Sequence, residues 1–254
     1  MHFSNIWGHT DLTNSIIKED WSAVKTHCEL HPRDAKVWTK RVGFFDGEHE
    51  SQVLPIHQAV ALYAPRDVIE RIATTYPEGV RSKETAFKRL PVHIACQSGA
   101  SADVVSALLS FYPEGAQVKD TLGRLPIHYA CSNGASAEVV EALLAAYLWA
   151  AAAQDIHSWL PIHVACHFGA STEVVRALLN AFPDSIQART EKGSTPLKLI
   201  QKINCKNKEE ILSLLEDEAW KHWHGPMKDH SSTFHSSAGT GLHHRRRGPA
   251  SSAA

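Results

Sequence analysis

One motif returns down the chain at almost constant spacing. LPIHQAV begins at Leu54, LPVHIAC at Leu90, LPIHYAC at Leu125 and LPIHVAC at Leu160, and STPLKLI follows with Pro196 in the same register. The prolines Pro55, Pro91, Pro126, Pro161 and Pro196 stand 36, 35, 35 and 35 residues apart. Two further markers keep step. One is the acidic-Val pair Asp67-Val68, Asp103-Val104, Glu138-Val139 and Glu173-Val174. The other is the aromatic that ends each unit, Tyr76, Tyr112, Tyr147 and Phe182. Three markers in one register mean that a single structural unit is copied, and a period of this length belongs to stacked arrays.

The unit starting at Leu125 can be built from local rules. Pro126 suits the first helical position, where a backbone N–H would have no partner in any case. Ile127, Ala130 and Cys131 then share one helix face, and Gly134 ends this short helix in a left-handed conformation. Ser136 is placed as the N-cap of a second helix, with Glu138 near the positive end of its dipole. Val139, Val140, Leu143, Leu144 and Tyr147 form the apolar stripe of that helix. A polar turn such as KDTLGR leads into the next unit. One pair of short helices cannot bury these faces alone, whereas stacked copies share a continuous core.

The unit resembles the ankyrin repeat. GSTPL from Gly193 and GRLPIHYAC from Gly123 follow that family's Gly, Thr-Pro-Leu-His-x-Ala opening, with Leu125 where Thr is usual. The period is longer than the family's, and the additional residues fall after the second helix, in YPEGA at Tyr112. Losing the Thr hydroxyl removes the usual partner of the motif histidine, which must find another. The resemblance covers roughly residues 11–220. It implies an all-α helical repeat solenoid with short β-hairpin loops and about six repeats, counting degenerate caps. The expected divisions are a capping repeat and extended loop at 1–53, four repeats at 54–194 and a capping repeat at 195–221. A disordered tail rich in His, Ser and Arg is expected at 222–254.

Both ends read as caps. DWSAVKTHCELHP places Trp21, Val24 and Cys28 in second-helix register, preceded by a short helix near residues 14–18. Between this unit and Leu54 the chain is longer than the period requires, which predicts an extended loop. Residues 207–220 read as a last helix with Ile211, Leu212, Leu214 and Leu215 apolar. Leu148 stands where its neighbours have proline and is followed by alanines, so the preceding helix is expected to run on for another turn. The tail cannot bury enough apolar surface to offset its ordering entropy.

Recurrent Cys and His invite a metal reading. Equivalent residues of stacked units lie about 8–10 Å apart, the helix-packing distance. Zinc ligands must crowd within about 2.0–2.3 Å of one ion. Cys96, Cys131 and Cys166 therefore read as small buried hydrophobes, and His57, His93, His128 and His163 as structural hydrogen bonders. His163 and His167 have the i, i+4 spacing of a metal pair but no adjacent Glu and no third ligand. The tail histidines (His222, His224, His230, His235, His243, His244) and Arg245-Arg246-Arg247 read as solvated sequence. No catalytic residue, cofactor or metal-ligand set is predicted.

The net charge is −1, which argues against a dedicated nucleic-acid binder, and no apolar run reaches membrane-spanning length. Residues 1–20 lack the apolar run of a signal peptide. Five Cys do not make a disulfide framework, so a reducing compartment is expected: the cytoplasm, with the nucleus as the alternative. By resemblance the chain is expected to be a non-enzymatic scaffold or adaptor. It would be a monomer that binds another protein through the concave face, with neither nucleic acid nor membrane as partner. The competing reading is a regulatory subunit or metal-responsive protein acting through the His-rich tail. Residues that vary between copies while the frame stays fixed are the candidates for contact. Aromatics and Arg are favoured among them: Phe87, Arg89, Arg124, Tyr129, Trp159 and Phe168.

Overall fold

The computed structural model describes residues 10–42 and 49–224. The chain opens with a helix pair, Asp11–Ile17 (α1) and Trp21–Leu30 (α2). Strands Thr39–Val42 (β1) and Glu50–Val53 (β2) follow. Next come Pro55–Ala61 (α3), Arg66–Thr75 (α4) and the single turn Glu78–Arg81 (α5). Four more pairs complete the array: Pro91–Ser98 (α6) with Ala102–Phe111 (α7), Pro126–Ser132 (α8) with Ala137–Ala146 (α9), Pro161–Phe168 (α10) with Thr172–Ala181 (α11), and Pro196–Lys202 (α12) with Lys208–His224 (α13). Six pairs agree with the expected repeat count. All five motif prolines stand at the first helical position, each after an extended residue.

First helices pack on first helices in chain order, α1 on α3, α6, α8, α10 and α12, and second helices do the same from α2 to α13. The substantial contacts join each pair only to its neighbours, which is the arrangement of a solenoid. One apolar cluster runs through it from Leu12 to Leu215. Leu108, Leu143 and Leu178 repeat in the second-helix layer at 1%, 0% and 1% exposure. Their recurrence turns separate stripes into one seam.

The motif histidine has found its replacement partner in the backbone. Nδ1 of His57, His93, His128 and His163 accepts from the N–H of the Leu three residues earlier, at 3.0–3.2 Å. That bond fixes the neutral tautomer with hydrogen on Nε2. The Nε2 of His57 donates to the Ser82 carbonyl, that of His128 to Trp159 and that of His163 to Ala188. Each of these carbonyls lies on the segment leading into the next unit. His93 Nε2 lies toward the Val118 and Arg124 carbonyls without a full hydrogen bond to either.

Four expectations need correction or refinement. The second helix before Leu148 does not run on. Tyr147 leaves it at φ −152, as Tyr112 and Phe182 leave theirs, and Leu148–Ala152 forms a 3₁₀ turn like Pro113–Gln117 and Pro183–Gln187. Ala150 and Ala151 are buried in that turn, which packs on α9, α10 and α11, so tertiary packing overrides the helix propensity of the alanines. The stretch expected as an extended loop contains the antiparallel pair β1–β2, with Thr39 opposite Val53 and Val42 opposite Glu50; residues 43–48 lie outside the described residues. Ser136 takes the N-cap position but makes no capping bond to the backbone; its side chain meets Glu138 instead. The backbone of α13 runs on to His224, into the segment 222–254 expected as tail, and residues 225–254, with Arg245-Arg246-Arg247, lie outside the described residues.

Truncating Leu143, fully buried in the seam, should cost about 2–5 kcal/mol in Leu143→Ala. A urea melt unchanged within error would contradict that burial. Burial also holds His57, His93 and His128 well below their ordinary 6.5, at about 4, because it disfavours the charged ring. Protonation therefore favours the unfolded chain. Stability should be full above pH 6.5 and fall between pH 6.5 and 4, by about 1.4 kcal/mol per histidine for each pH unit. Equal urea midpoints at pH 7.5 and pH 5 would refute this.

Candidate functional site

The loops that join the repeats are organised by an acid. Glu84, Asp120 and Asp155 recur with Thr190 at intervals of 36, 35 and 35. Glu84 accepts from the N–H groups of Ala86, Phe87 and Arg89 at 2.6–3.0 Å. Asp120 Oδ1 accepts from Leu122 and Arg124, and Asp155 Oδ1 from His157 and Trp159, all at 2.8–2.9 Å. Each loop closes with one backbone bond, Glu84 to Arg89, Asp120 to Arg124, Asp155 to Trp159 and Thr190 to Ser194, all 3.0 Å. Each tip also donates to the preceding tip: Thr85 to Gln52, Thr121 to Phe87, Ile156 to Leu122 and Glu191 to His157. The tip residue itself needs a positive φ. Gly123 and Gly193 supply it freely, while Lys88 and Ser158 adopt it at φ 59 and 58 despite their side chains.

An arginine from one loop reaches the acid of the next. Arg89 lies between the rings of Phe87 and Tyr129, its guanidinium 4.5 and 4.7 Å from their centroids. Its Nε donates to Asp120 Oδ2 at 3.4 Å and its Nη1 to Gln97 at 2.8 Å. The Tyr129 hydroxyl donates to the same Asp120 oxygen at 2.5 Å, and its pKa is pushed up to about 12 by burial and by that carboxylate. One repeat further on, Arg124 Nε donates to Asp155 Oδ2 at 3.2 Å, but a third of the Arg124 side chain remains exposed. Beside it His167 meets Trp159 and Phe168 edge to face, with centroids 5.2 and 4.9 Å apart. A cleft of about 340 Å³ opens here, lined by Arg124, Asp155, His157, Trp159, Val164, His167, Phe168, Glu191 and Lys192.

The six residues expected at the contact surface divide into two groups. Arg124, Trp159 and Phe168 come together around this cleft, Phe168 being 59% exposed and the other two half-buried. Arg89 and Tyr129 are instead buried, at 5% and 4%, because the ion pair with Asp120 and the stacking on each other draw them into the repeat interface. Phe87 is half-buried under Arg89. The acids Glu84, Asp120 and Asp155 escaped the sequence reading, although their register matched that of the prolines.

The recurrent thiols are not a site. Cys96, Cys131 and Cys166 are at most 1% exposed, and burial pushes their thiols up, Cys166 to about 12. His163 has both ring nitrogens engaged by backbone and has none to offer a metal with His167. Among the described residues no three His, Cys, Asp or Glu side chains are grouped to hold a metal ion. No helix among them is long and apolar enough to cross a membrane.

The family model for ankyrin repeats matches residues 56–148 in three copies. Residues 56–148 carry ankyrin repeats. No curated protein matches it. The same stacking of helix pairs continues past the matched segment through α10–α11 and α12–α13, where STPLKLI opens the last pair. The cleft thus sits at the junction between the matched repeats and those that follow. Ankyrin repeats generally mediate protein–protein interaction and are typically non-enzymatic.

Removing the carboxylate in Asp120→Ala strands the buried Arg89 guanidinium and the Tyr129 hydroxyl. The expected cost is about 3–5 kcal/mol, read as a lowered midpoint in thermal or urea unfolding. A loss below about 1 kcal/mol, the worth of an exposed pair, would show that the network is not a buried tie.

Proposed function

We propose that the chain is a non-catalytic scaffold that binds another protein on the face built from the first helices and the loop tips, centred on Arg124, Trp159 and Phe168. The observation that carries this is the cleft beside Arg124, where an exposed aromatic, a half-buried aromatic and an incompletely covered guanidinium converge on a rigid frame. Aromatics and Arg dominate binding energy when a partner desolvates them. The loop acids Asp120 and Asp155 fix the backbones of Arg124 and Trp159, and helix α10 carries Phe168, so little ordering cost remains to be met on binding.

The test is affinity capture with the full chain. Partners retained by the wild type should be lost, by about ten-fold or more, from the Arg124→Ala, Trp159→Ala double variant with its melting curve otherwise intact. Glu141→Ala, exposed on α9 in the second-helix layer, should retain them. Retention of every partner by the double variant would refute the assignment.

A further inference from the structure

Two successive junctions in the array have the same construction and differ in what fills them. In the first, Arg89 reaches Asp120, and Tyr129, nine residues after that Asp, lays its ring on the guanidinium and donates its hydroxyl to Oδ2. In the second, Arg124 reaches Asp155, and the residue nine positions after that Asp is Val164. Valine has neither ring nor hydroxyl. Where Tyr129 fills one junction, the shorter Val164, 3% exposed, lies on the wall of the cleft in the next. Asp155 Oδ2 accepts from Arg124 Nε there and, among the described residues, from no hydroxyl, although its side chain is 99% buried and faces the cleft. The volume of about 340 Å³ falls at the lower end of the roughly 300–1,000 Å³ typical of ligand pockets.

We propose that this cleft receives a tyrosine side chain from the partner polypeptide, its ring on the Arg124 guanidinium and its hydroxyl donating to Asp155 Oδ2. The inference rests on the reading that a protein docks on this face. The chain itself displays the complementary group: Tyr129 against Arg89 and Asp120 is the same contact made internally. The chemistry is matched on both sides. An aromatic face attracts the guanidinium, and a phenolic O–H satisfies a carboxylate oxygen that a plain phenyl ring would leave short of a donor. Trp159 and Phe168 supply the apolar walls that exclude water from the pair.

The test selects a displayed random-peptide library on the immobilised full chain and measures recovered peptides by titration. Peptides whose binding Trp159→Ala abolishes should share one tyrosine, and changing it to phenylalanine should weaken binding about ten-fold or more. Val164→Tyr, which would place the chain's own ring as Tyr129 is placed, should abolish that binding. Peptides that depend on Trp159 but tolerate the phenylalanine change, or that carry tryptophan or a cationic residue in its place, overturn the tyrosine assignment and leave the protein-binding reading standing. Undiminished binding to a folded Val164→Tyr does the same. Recovery of no peptide sensitive to Trp159→Ala overturns both. Should Val164→Tyr fail to fold, the phenylalanine change measured on the wild type decides alone.

Discussion

The four central helix pairs of this array depend on a neutral imidazole held against backbone. The motif histidine takes a hydrogen from the N–H that opens its own helix and, in three of four copies, gives one to a carbonyl on the segment entering the next unit. A helix N-terminus and a loop carbonyl are each short of a partner, and one rigid ring serves both. The tie works only while the ring is uncharged, and the surrounding apolar seam enforces that state. Packing and hydrogen bonding are therefore not separate contributions here: burial fixes the protonation state, and the protonation state aligns consecutive units.

The repeat pitch, the proline starts and the helix faces were legible because they follow from periodicity and local rules that packing reinforces. The failures have particular causes. Variation between copies points to surface contact, yet Arg89 and Tyr129 vary and are buried in a polar network with Asp120. A buried network and a binding patch leave the same trace in a single sequence. Asp120 and Asp155 sit in polar turn segments, where an acid reads as solvated until the structure shows it folded back on its own loop. Leu148 misled because proline is only one way to leave a helix. The buried alanines that follow determine the outcome through contacts far along the chain.

Repetition also makes the molecule its own control. Successive junctions share a frame of acid, arginine and backbone ladder, so a difference between them isolates the side chains that differ. Across the Asp155 junction the side chains that change are Leu122 for Phe87 and His157 for Leu122 at the tips, Trp159 for Arg124 before the motif, and Ser132 for Gln97, Val164 for Tyr129, His167 for Ser132 and Phe168 for Asn133 on the first helices. Their joint effect is to turn a filled interface into an open one while leaving the fold untouched. Specialisation of a single site in such an array requires no new architecture, only side-chain changes at positions the frame already surrounds.

The first loop is one residue longer than the others, which accounts for the single 36-residue interval. Its acid is Glu84 rather than Asp, and it reaches the N–H five residues ahead where Asp120 and Asp155 reach four. One methylene in the side chain matches one residue in the backbone. An insertion that would otherwise shift every later unit is thus absorbed within the loop that contains it. Loop length and acid type form a coupled pair, so a hairpin grafted between copies keeps the pitch of the array only if it travels with its own carboxylate.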